Sequence, residues 1–184
     1  MVYETGKYYH VYNRGAHGQE IFVSDENFRF CISLLKKYSS HFLVSIHTFC
    51  LMPNHYHLLL QQHQGGSIRS FIQTTFNAYS QAFNKVYQHS GTLFQGRAKG
   101  KDVESDLYAV RLSRYIHRNP ITAKLVSDAS EWIFSDYRVW IGEEASMLTD
   151  LGLRNGYFTD ASHYREWFGE LEYEGDLSRF LFQE

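Results

Sequence analysis

The sequence predicts an α+β protein with a ferredoxin-like split βαβ fold, an antiparallel sheet with helices, followed by a C-terminal extension. Two observations predict it. Segments with strand and helix patterns alternate in the order β-α-β-β-α-β, and one more helical segment follows. In addition, a chain of 184 residues with 43% hydrophobic residues is long enough for one domain with a substantial core.

The first three predicted elements are a strand, a helix and a strand. Residues 7–14 are aromatic and β-branched and stop at Gly15, which predicts the first strand. Ser24 is a good helix N-cap residue. Apolar residues then recur with helical spacing at Phe28, Cys31, Ile32, Leu35 and Tyr38. Residues 41–50 are predicted to form the second strand.

The middle of the chain predicts a hairpin and a second helix. Residues 51–54 contain Pro53-Asn54, which is typical of a turn. The apolar segment 55–62 that follows predicts a buried central strand. Gly65-Gly66 interrupts the chain, and Ser67 begins the second helix. In the predicted fold, the first and third strands are central neighbours.

The last elements of the core are a short strand and a third helix. The strand is predicted at residues 99–103, and Ser105 or Asp106 is predicted to cap the helix. Pro120 is predicted to end this helix, because proline lacks an N–H donor and disfavours helical geometry at the residue before it. We therefore expect a core at residues 1–120 and an extension at residues 121–184 packed on it.

The net charge of −2 conceals an uneven distribution along the chain. Residues 1–118 contain 13 Lys and Arg against 7 Asp and Glu, a net charge of +6, whereas residues 119–184 contain 5 against 13, a net charge of −8. A basic body with an acidic tail fits a domain that binds a polyanion and carries a separate C-terminal segment. It also fits an ordinary acidic protein with uneven charge.

The sequence argues against a membrane partner. It contains no uncharged apolar run of the roughly 18 residues that a membrane span requires, and the N-terminus lacks the apolar core of a signal peptide. Cys31 and Cys50 lie in apolar segments, which is typical of reduced core cysteines. We expect a cytoplasmic protein.

A histidine pair stands in the predicted third strand. His55 and His57 are two residues apart, so both imidazoles should project from one face, with Tyr56 on the other. Two buried imidazoles need partners. A shared cation would satisfy them, and so would backbone groups or water. The spacing alone leaves both interpretations open.

A second candidate group lies at the end of the third helix. Tyr115 and Asn119 are four residues apart and share a helix face, near Arg111, Arg114 and Arg118. The phenol could attack phosphorus, the amide oxygen could join two imidazoles on a hard cation, and arginines could hold the anion. Taken alone, a helical tyrosine is more often a core residue, and Asn-Pro more often only ends a helix.

Four segments resemble, in the same order, those of the REP-associated tyrosine transposases, which are single-tyrosine HUH transposases. They are residues 9–15, 50–60, 93–97 and 114–120, and the resemblance extends over about residues 7–140. The middle residue of the HUH triplet is usually bulky and apolar, whereas here it is Tyr56. Because Tyr56 should face away from the histidines, we do not interpret it as a second nucleophile.

The resemblance implies a chemistry for both groups of residues. His55, His57 and Asn119 would bind Mg²⁺ or Mn²⁺, which polarises the phosphate oxygens, and Tyr115 would be the nucleophile. The implied activity is that of a single-stranded DNA transposase and endonuclease. It would cut and rejoin DNA through a 5′-phosphotyrosine intermediate, at hairpin (REP-like) sequences and without ATP. A homodimer is possible, and the tyrosine helix could then serve either subunit.

Basic residues are the candidate DNA contacts, since single strands are held by cations and aromatic platforms. They are Arg14, Arg69, Arg97, Lys99, Lys101, Arg114 and Arg118. Relatives often carry a basic C-terminal tail, whereas this tail is acidic. The acidic tail gives no support to hairpin recognition by this segment.

Other classes fit less well. A histidine-triad hydrolase would have histidine where Leu59 stands, a barrel hydrolase needs a longer chain, and a structural zinc site needs four N or S ligands at short spacing. The alternative that remains is a domesticated, non-catalytic DNA-binding protein of the same fold. Metal-dependent covalent trapping of a cut strand would distinguish the two.

Overall fold

The computed structural model describes residues 2–170 and contains a four-stranded antiparallel sheet. The strands are β1 (Tyr8–Arg14), β2 (Val44–Met52), β3 (His55–Gln62) and β4 (Lys99–Val103), in the order β2-β3-β1-β4. The first and third strands are central neighbours, as predicted. The predicted α+β, ferredoxin-like fold class is confirmed.

Helices cover both faces of this sheet. They are α1 (Asp25–His41), α2 (Ile68–Tyr87), α3 (Asp106–Thr122), α4 (Tyr137–Trp140), α5 (Gly152–Tyr157) and α6 (Ala161–Gly169). One hydrophobic cluster joins the sheet to α1 and α2, and a second joins its other face to α3 and the segments after it. Within residues 2–170, no helix combines the length and apolar character needed to cross a bilayer.

Strand alternation decides which side chains reach each cluster. Tyr9, Val11 and Tyr56 belong to the cluster under α1 and α2, whereas Cys50 and Leu59 belong to the cluster under α3. Successive residues of a strand point to opposite faces. The even-numbered residues of β1 and the odd-numbered residues of β3 therefore face α3, the helix that carries the candidate nucleophile.

Residues 121–170 pack against β2 and α3 through a buried polar network. The Asp136 carboxylate accepts hydrogen bonds from the Phe49 N–H and the Thr149 hydroxyl, both at 2.9 Å. His117 Nε2 on α3 lies 2.9 Å from the same carboxylate, and its Nδ1 lies 2.7 Å from the Tyr164 hydroxyl. Because buried polar groups are costly when they lose their partners, this network fixes α3 against the extension. Residues 171–184 lie outside the described part.

Two predicted element boundaries are wrong. The first helix continues to His41, and β2 begins only at Val44. Leu43, between them, has a positive φ of 50°, a conformation in which neither a helix nor a strand continues. The same strand runs on to Met52, so the turn contains only Pro53 and Asn54.

The prediction that Pro120 ends the third helix is also wrong, because α3 continues to Thr122. Proline cannot give the Ile116 carbonyl its usual helical hydrogen bond. The Asn119 side chain takes over this role, since its Nδ2 donates to the Ile116 carbonyl at 3.4 Å and to the Tyr115 carbonyl at 2.8 Å. The Asn-Pro pair therefore preserves the helix and fixes the Asn119 amide at the same time.

Candidate active site

The two histidines of β3 lie side by side on the face that packs against α3. The His55 and His57 ring centroids are 5.1 Å apart with an interplanar angle of 84°. His57 is completely buried, and His55 is half-buried. Tyr56 projects from the other face and stacks on Phe76, with centroids 4.0 Å apart. The pair and the intervening tyrosine therefore belong to different environments.

Helix α3 brings Tyr115 and Asn119 to the histidine pair. The Tyr115 ring meets the His57 ring edge to face, with centroids 5.6 Å apart. The Asn119 side chain interacts with the His55 ring and with the Tyr115 phenol, and it opposes the shift that burial gives to the pKa of each. The four residues that the sequence predicted to form one site are thus in direct contact within one chain.

Each histidine is also held through its second ring nitrogen. His55 Nδ1 lies 2.7 Å from Asn54 Oδ1, and since an amide oxygen only accepts, His55 Nδ1 donates. His55 Nε2 therefore keeps its lone pair. His57 Nδ1 lies 2.9 Å from Nε2 of His10, which stands on β1. Hydrogen bonds of this kind fix the tautomer of a ligand histidine.

Burial sets the protonation of the site. It lowers the pKa of His55 to about 4 and that of His57 well below its ordinary value, the latter with smaller contributions from His10 and His55. Both imidazoles are therefore neutral at pH 7, as metal ligation requires. Burial also raises the pKa of Tyr115, although the Asn119 side chain opposes this shift. The resting phenol is protonated.

The side chains present fit a small divalent cation. Two neutral imidazoles and an amide oxygen converge from β3 and α3, and imidazole and oxygen donors suit Mn²⁺ and Mg²⁺. Three protein donors would leave positions open for phosphate and water. Between residues 2 and 170 there is no group of three or more His, Cys, Asp or Glu side chains that could hold a metal. The third donor of the set is an amide, that of Asn119.

Three of the predicted DNA contacts lie beside this site. Lys99 pairs with Tyr12 across β4 and β1, and Lys101 pairs with His10, so both lysines share the face of the histidines. Lys101 Nζ lies 5.8 Å from the centre of the Tyr12 ring. Arg14 pairs with His55 and hydrogen-bonds the Gln95 side chain. The edge of the sheet next to the site is therefore basic.

The other four predicted contacts lie elsewhere. Arg69 and Arg97 line a groove on the opposite face of the sheet. Arg118 is half-buried and lies over the Phe168 ring of α6. Arg114 is only 3% exposed, lies 4.8 Å from the Trp167 ring centroid and donates to a backbone carbonyl of the extension. A buried guanidinium packed on α6 cannot reach a DNA phosphate, so the prediction for Arg114 is corrected.

Sequence analysis missed two residues of the site. His10 contacts His57 directly, and the Tyr12 ring centroid lies 6.0 Å from that of His57. Both are even-numbered residues of β1, the neighbour of β3 in the predicted fold. Alternation on β1 together with antiparallel pairing is the signal that could have placed them on the histidine face.

The fold and the site together define a class of protein, in which a ferredoxin-like sheet presents a buried histidine pair to a tyrosine on a helix. The model of the IS200-like transposase family matches residues 4–119, which is more than half of the chain. The chain belongs to the IS200-like transposase family. No protein of curated function matches it.

Two solved structures resemble this fold. One is described as a REP-associated tyrosine transposase bound to a REP hairpin. It is 15% identical in sequence with a TM-score of 0.67, and the match covers 83% of this chain and 93% of that one. The other, a putative transposase from Deinococcus radiodurans R1, is 18% identical with a TM-score of 0.46, covering 64% of this chain and 94% of that one.

Proposed function

We propose that this chain is a metal-dependent DNA transesterase that cuts and rejoins single-stranded DNA through a 5′-phosphotyrosine on Tyr115. The observation that carries the proposal is the meeting of Tyr115 and Asn119 with His55 and His57. This arrangement suits phosphodiester transfer, because it brings a nucleophile next to a fixed amide and two neutral imidazoles.

In this proposal His55, His57 and Asn119 hold Mg²⁺ or Mn²⁺. The cation would supply Lewis-acid polarisation of the non-bridging phosphate oxygens. The protein residues orient the donor atoms: Asn54 and His10 hold the rings, and the carbonyls of α3 hold the amide. Such hydrogen bonds place the donors before the substrate arrives, so little reorganisation accompanies the reaction.

Tyr115 performs the covalent step. Its phenolic oxygen bonds to phosphorus, the bond from phosphorus to the 3′ oxygen breaks, and the new 3′ hydroxyl leaves with its strand. Because burial raises the pKa of Tyr115, the phenolic proton departs during the attack and not before it. Attack by a free 3′ hydroxyl on the tyrosyl phosphate reverses the step. One phosphodiester replaces another, so ATP is not required.

Hairpin DNA is the proposed substrate. A solved structure of the same fold is described as bound to a REP hairpin. In this chain, Lys99, Lys101 and Arg14 form a basic edge next to Tyr115. We propose that this edge, together with Arg118, holds the phosphates of a single strand that flanks a hairpin stem.

The contact between Tyr115 and His57 bears on how a homodimer would be arranged. Tyr115 reaches His57 of its own chain, so a homodimer, if formed, does not need to exchange the tyrosine helix.

Cys31 and Cys50 are free and buried, as is typical of proteins in reducing compartments. We propose that the protein acts in the cytoplasm.

The test is covalent trapping on a labelled DNA hairpin with unpaired flanks, resolved on a denaturing gel with Mn²⁺ or with excess chelator. The wild-type protein should form an adduct only with Mn²⁺. Tyr115→Phe removes one hydroxyl, so it should bind DNA but form no adduct. Tyr157→Phe, at an exposed tyrosine on α5, is the matched control and should react as the wild type does.

The outcomes separate the proposal from its alternative. An adduct in the Tyr115→Phe protein would remove Tyr115 from the reaction. An adduct formed in excess chelator would remove the metal. Tight hairpin binding with no adduct from the wild-type protein under any metal condition would favour the domesticated, non-catalytic DNA-binding protein.

A further inference from the structure

A surface cavity of about 300 Å³ lies at the end of the sheet that is far from His55. The end of α1 and the start of β2 form one side, and His63 and the extension segment around Asp150 form the other. His63 comes eight residues after His55, so the rise of the strand separates the two histidines by roughly 26 Å. The cavity is therefore distinct from the candidate active site.

Three polar side chains meet in this cavity. Ser45 Oγ lies 2.8 Å from His63 Nε2, and it donates a hydrogen bond to Asp150 Oδ2 at 2.9 Å. Ser45 is half-buried, whereas His63 and Asp150 are exposed. The three donor atoms therefore converge at a place that solvent and dissolved ions can reach.

Backbone contacts hold Asp150 in this position. Its N–H donates to the Ile46 carbonyl at 2.8 Å, and its Oδ1 accepts a hydrogen bond from the Gly152 N–H at 2.8 Å. Burial alone would raise the pKa of the Asp150 carboxyl, but the hydrogen bonds from Gly152 and Ser45, together with two nearby imidazoles, lower it overall. Asp150 is therefore a carboxylate at pH 7, and its Oδ2 is directed towards Ser45.

The surroundings of the three side chains favour a cation. Among the described residues that line the cavity there is no lysine or arginine, and Asp150 is the one carboxylate. Ser39 and Ser40 belong to the last turn of α1, where the helix dipole places a partial charge of about −0.5. A carboxylate and the negative end of a helix thus border the same small cavity, which disfavours an anion.

The spacing of the donor atoms suits one metal ion. Zn²⁺ binds nitrogen and oxygen ligands at about 2.0–2.2 Å, so two donors on one ion are roughly 3.0–3.4 Å apart at angles of about 90–110°. The distances of 2.8 and 2.9 Å around Ser45 Oγ are slightly shorter, and small rotations of exposed side chains lengthen them. Imidazole and carboxylate are common zinc ligands, the third donor here is a hydroxyl, and water can complete the coordination.

One proton has to change its position before a metal binds. The Ser45 hydroxyl donates its proton to Asp150, so in neutral His63 the Nε2 atom carries the N–H that bonds to Ser45 Oγ. Since His63 is exposed, its ring can exchange this proton with water and carry it on Nδ1 instead. Nε2 then presents a lone pair to the metal, with no net loss of a proton from the ring.

We propose that His63 Nε2, Asp150 Oδ2 and Ser45 Oγ form a second metal site, which binds a divalent transition metal with Zn²⁺ preferred. Zn²⁺ binds such donors more tightly than Mn²⁺ does. The ion would join the sheet to the extension, because Ser45 lies on β2, His63 follows β3 and Asp150 belongs to the extension. The site does not depend on the proposed cleavage chemistry.

The metal would stabilise the segment that holds the helix of the nucleophile. Thr149, the neighbour of Asp150, donates a hydrogen bond to the Asp136 carboxylate, which also contacts His117 on α3. An ion that binds the folded protein and not the unfolded chain raises stability through mass action. A metal bound at Asp150 would therefore strengthen the attachment of the extension to the sheet.

Isothermal titration calorimetry of the full chain with Zn²⁺ tests this site. The wild-type protein should bind one Zn²⁺ more than His63→Ala does, whatever the catalytic residues bind. Asp150→Asn preserves the size of the side chain but removes its charge, and it should weaken binding at this site at least about 10-fold, which is the smallest effect usual for outer-shell partners of a metal. In both variants, Zn²⁺ should raise the thermal unfolding temperature less than in the wild type.

His41→Ala is the matched control. His41 is also an exposed histidine and ends α1, but it does not line the cavity. This variant should bind as many Zn²⁺ ions as the wild type. All three variants should form the Tyr115 adduct with Mn²⁺ as the wild type does, which also shows that they are folded.

The other outcomes overturn the site. Equal numbers of bound Zn²⁺ in the wild type and in His63→Ala would mean that no ion binds there. Loss of one ion in His63→Ala with unchanged binding in Asp150→Asn would indicate a lone surface imidazole, and this also overturns the three-donor site. Failure of the proposed function is a separate result, because a wild-type protein that forms no Tyr115 adduct can still bind an ion at His63.

Discussion

His10 Nε2 and His57 Nδ1 lie 2.9 Å apart, in a hydrogen bond between two buried imidazoles. One ring must donate and the other accept, because both remain neutral at pH 7. When His57 Nδ1 donates, the lone pair of His57 stands on Nε2. The proposed metal site requires this tautomer, in which His10 Nε2 accepts the hydrogen bond from His57 Nδ1.

The first prediction concerns the role of His10 in metal affinity. His10→Phe keeps an aromatic ring but removes the nitrogen that holds His57. The dissociation constant for Mn²⁺ in the absence of DNA, measured by electron paramagnetic resonance, should rise about 10- to 100-fold, as for other partners of ligand histidines. His47→Phe is the control, since His47 is a buried histidine of β2 that contacts Asp150 and Gln61. Equal affinities of His10→Phe and wild type would exclude this role.

The second prediction concerns acid stability. Burial lowers the pKa of His10 to about 3 and that of His55 to about 4. In the unfolded chain both rings bind a proton below about pH 6.5, whereas the folded chain keeps them neutral. The free energy of unfolding should therefore fall as the pH drops from about 6.5 towards 4, by about 1.4 kcal/mol per pH unit for each ring.

Urea unfolding of the metal-free protein at pH 7.0 and at about pH 5.5 tests whether the free energy of unfolding falls on acidification. His10→Phe should lose less stability on acidification than the wild type, because it carries one buried imidazole fewer. The argument fails if the wild-type protein is equally stable at both pH values, or if the variant shows the same loss as the wild type.

The third prediction concerns the Asn119-Pro120 pair. Pro120→Ala restores the backbone N–H that normally bonds to the Ile116 carbonyl, so the Asn119 amide is no longer needed there. Asn119→Ala should cost about 1 kcal/mol more in the wild-type background than in the Pro120→Ala background. The four proteins of this double-mutant cycle are compared by urea unfolding. Additive effects would show that Asn119 does not compensate for the proline.

The sequence was sufficient to predict which residues of the candidate site share a face of the same strand or helix. Strand alternation places His55 and His57 on one face of β3, and helical spacing places Tyr115 and Asn119 on one face of α3. Both rules act within a single element, so the sequence alone is enough to apply them. His10 requires more, namely the pairing of β1 with β3 and the register of the two strands. Pairing is a tertiary property, so a local pattern does not reveal the contact between His10 and His57.

The residues that were assigned wrongly depend on packing in the same way. Arg114 was assigned to DNA because of its charge, but α6 covers it with Trp167. The extension that supplies α6 shows no clear pattern of its own in sequence. Pro120 was predicted to end α3 from an average property of proline, and the neighbouring Asn119 side chain changed the outcome. Tertiary contacts overrode local preference in both cases.

The last prediction concerns the basic edge of the sheet. Lys99 and Lys101 share the face of Tyr115, so a bound single strand should contact them and release counterions. Replacing both with Gln should reduce the slope of log K against log salt concentration by about 0.7 for each lysine that contacts a phosphate.

The measurement is the affinity for a hairpin with unpaired flanks across a series of NaCl concentrations. Lys36→Gln/Lys37→Gln is the matched control. These lysines are exposed, as Lys99 is, but they lie on α1, on the other face of the sheet. The control removes the same net charge, so a change confined to the Lys99 and Lys101 variant reflects contact with DNA. If both double variants lower the slope equally, the bound strand does not follow this edge.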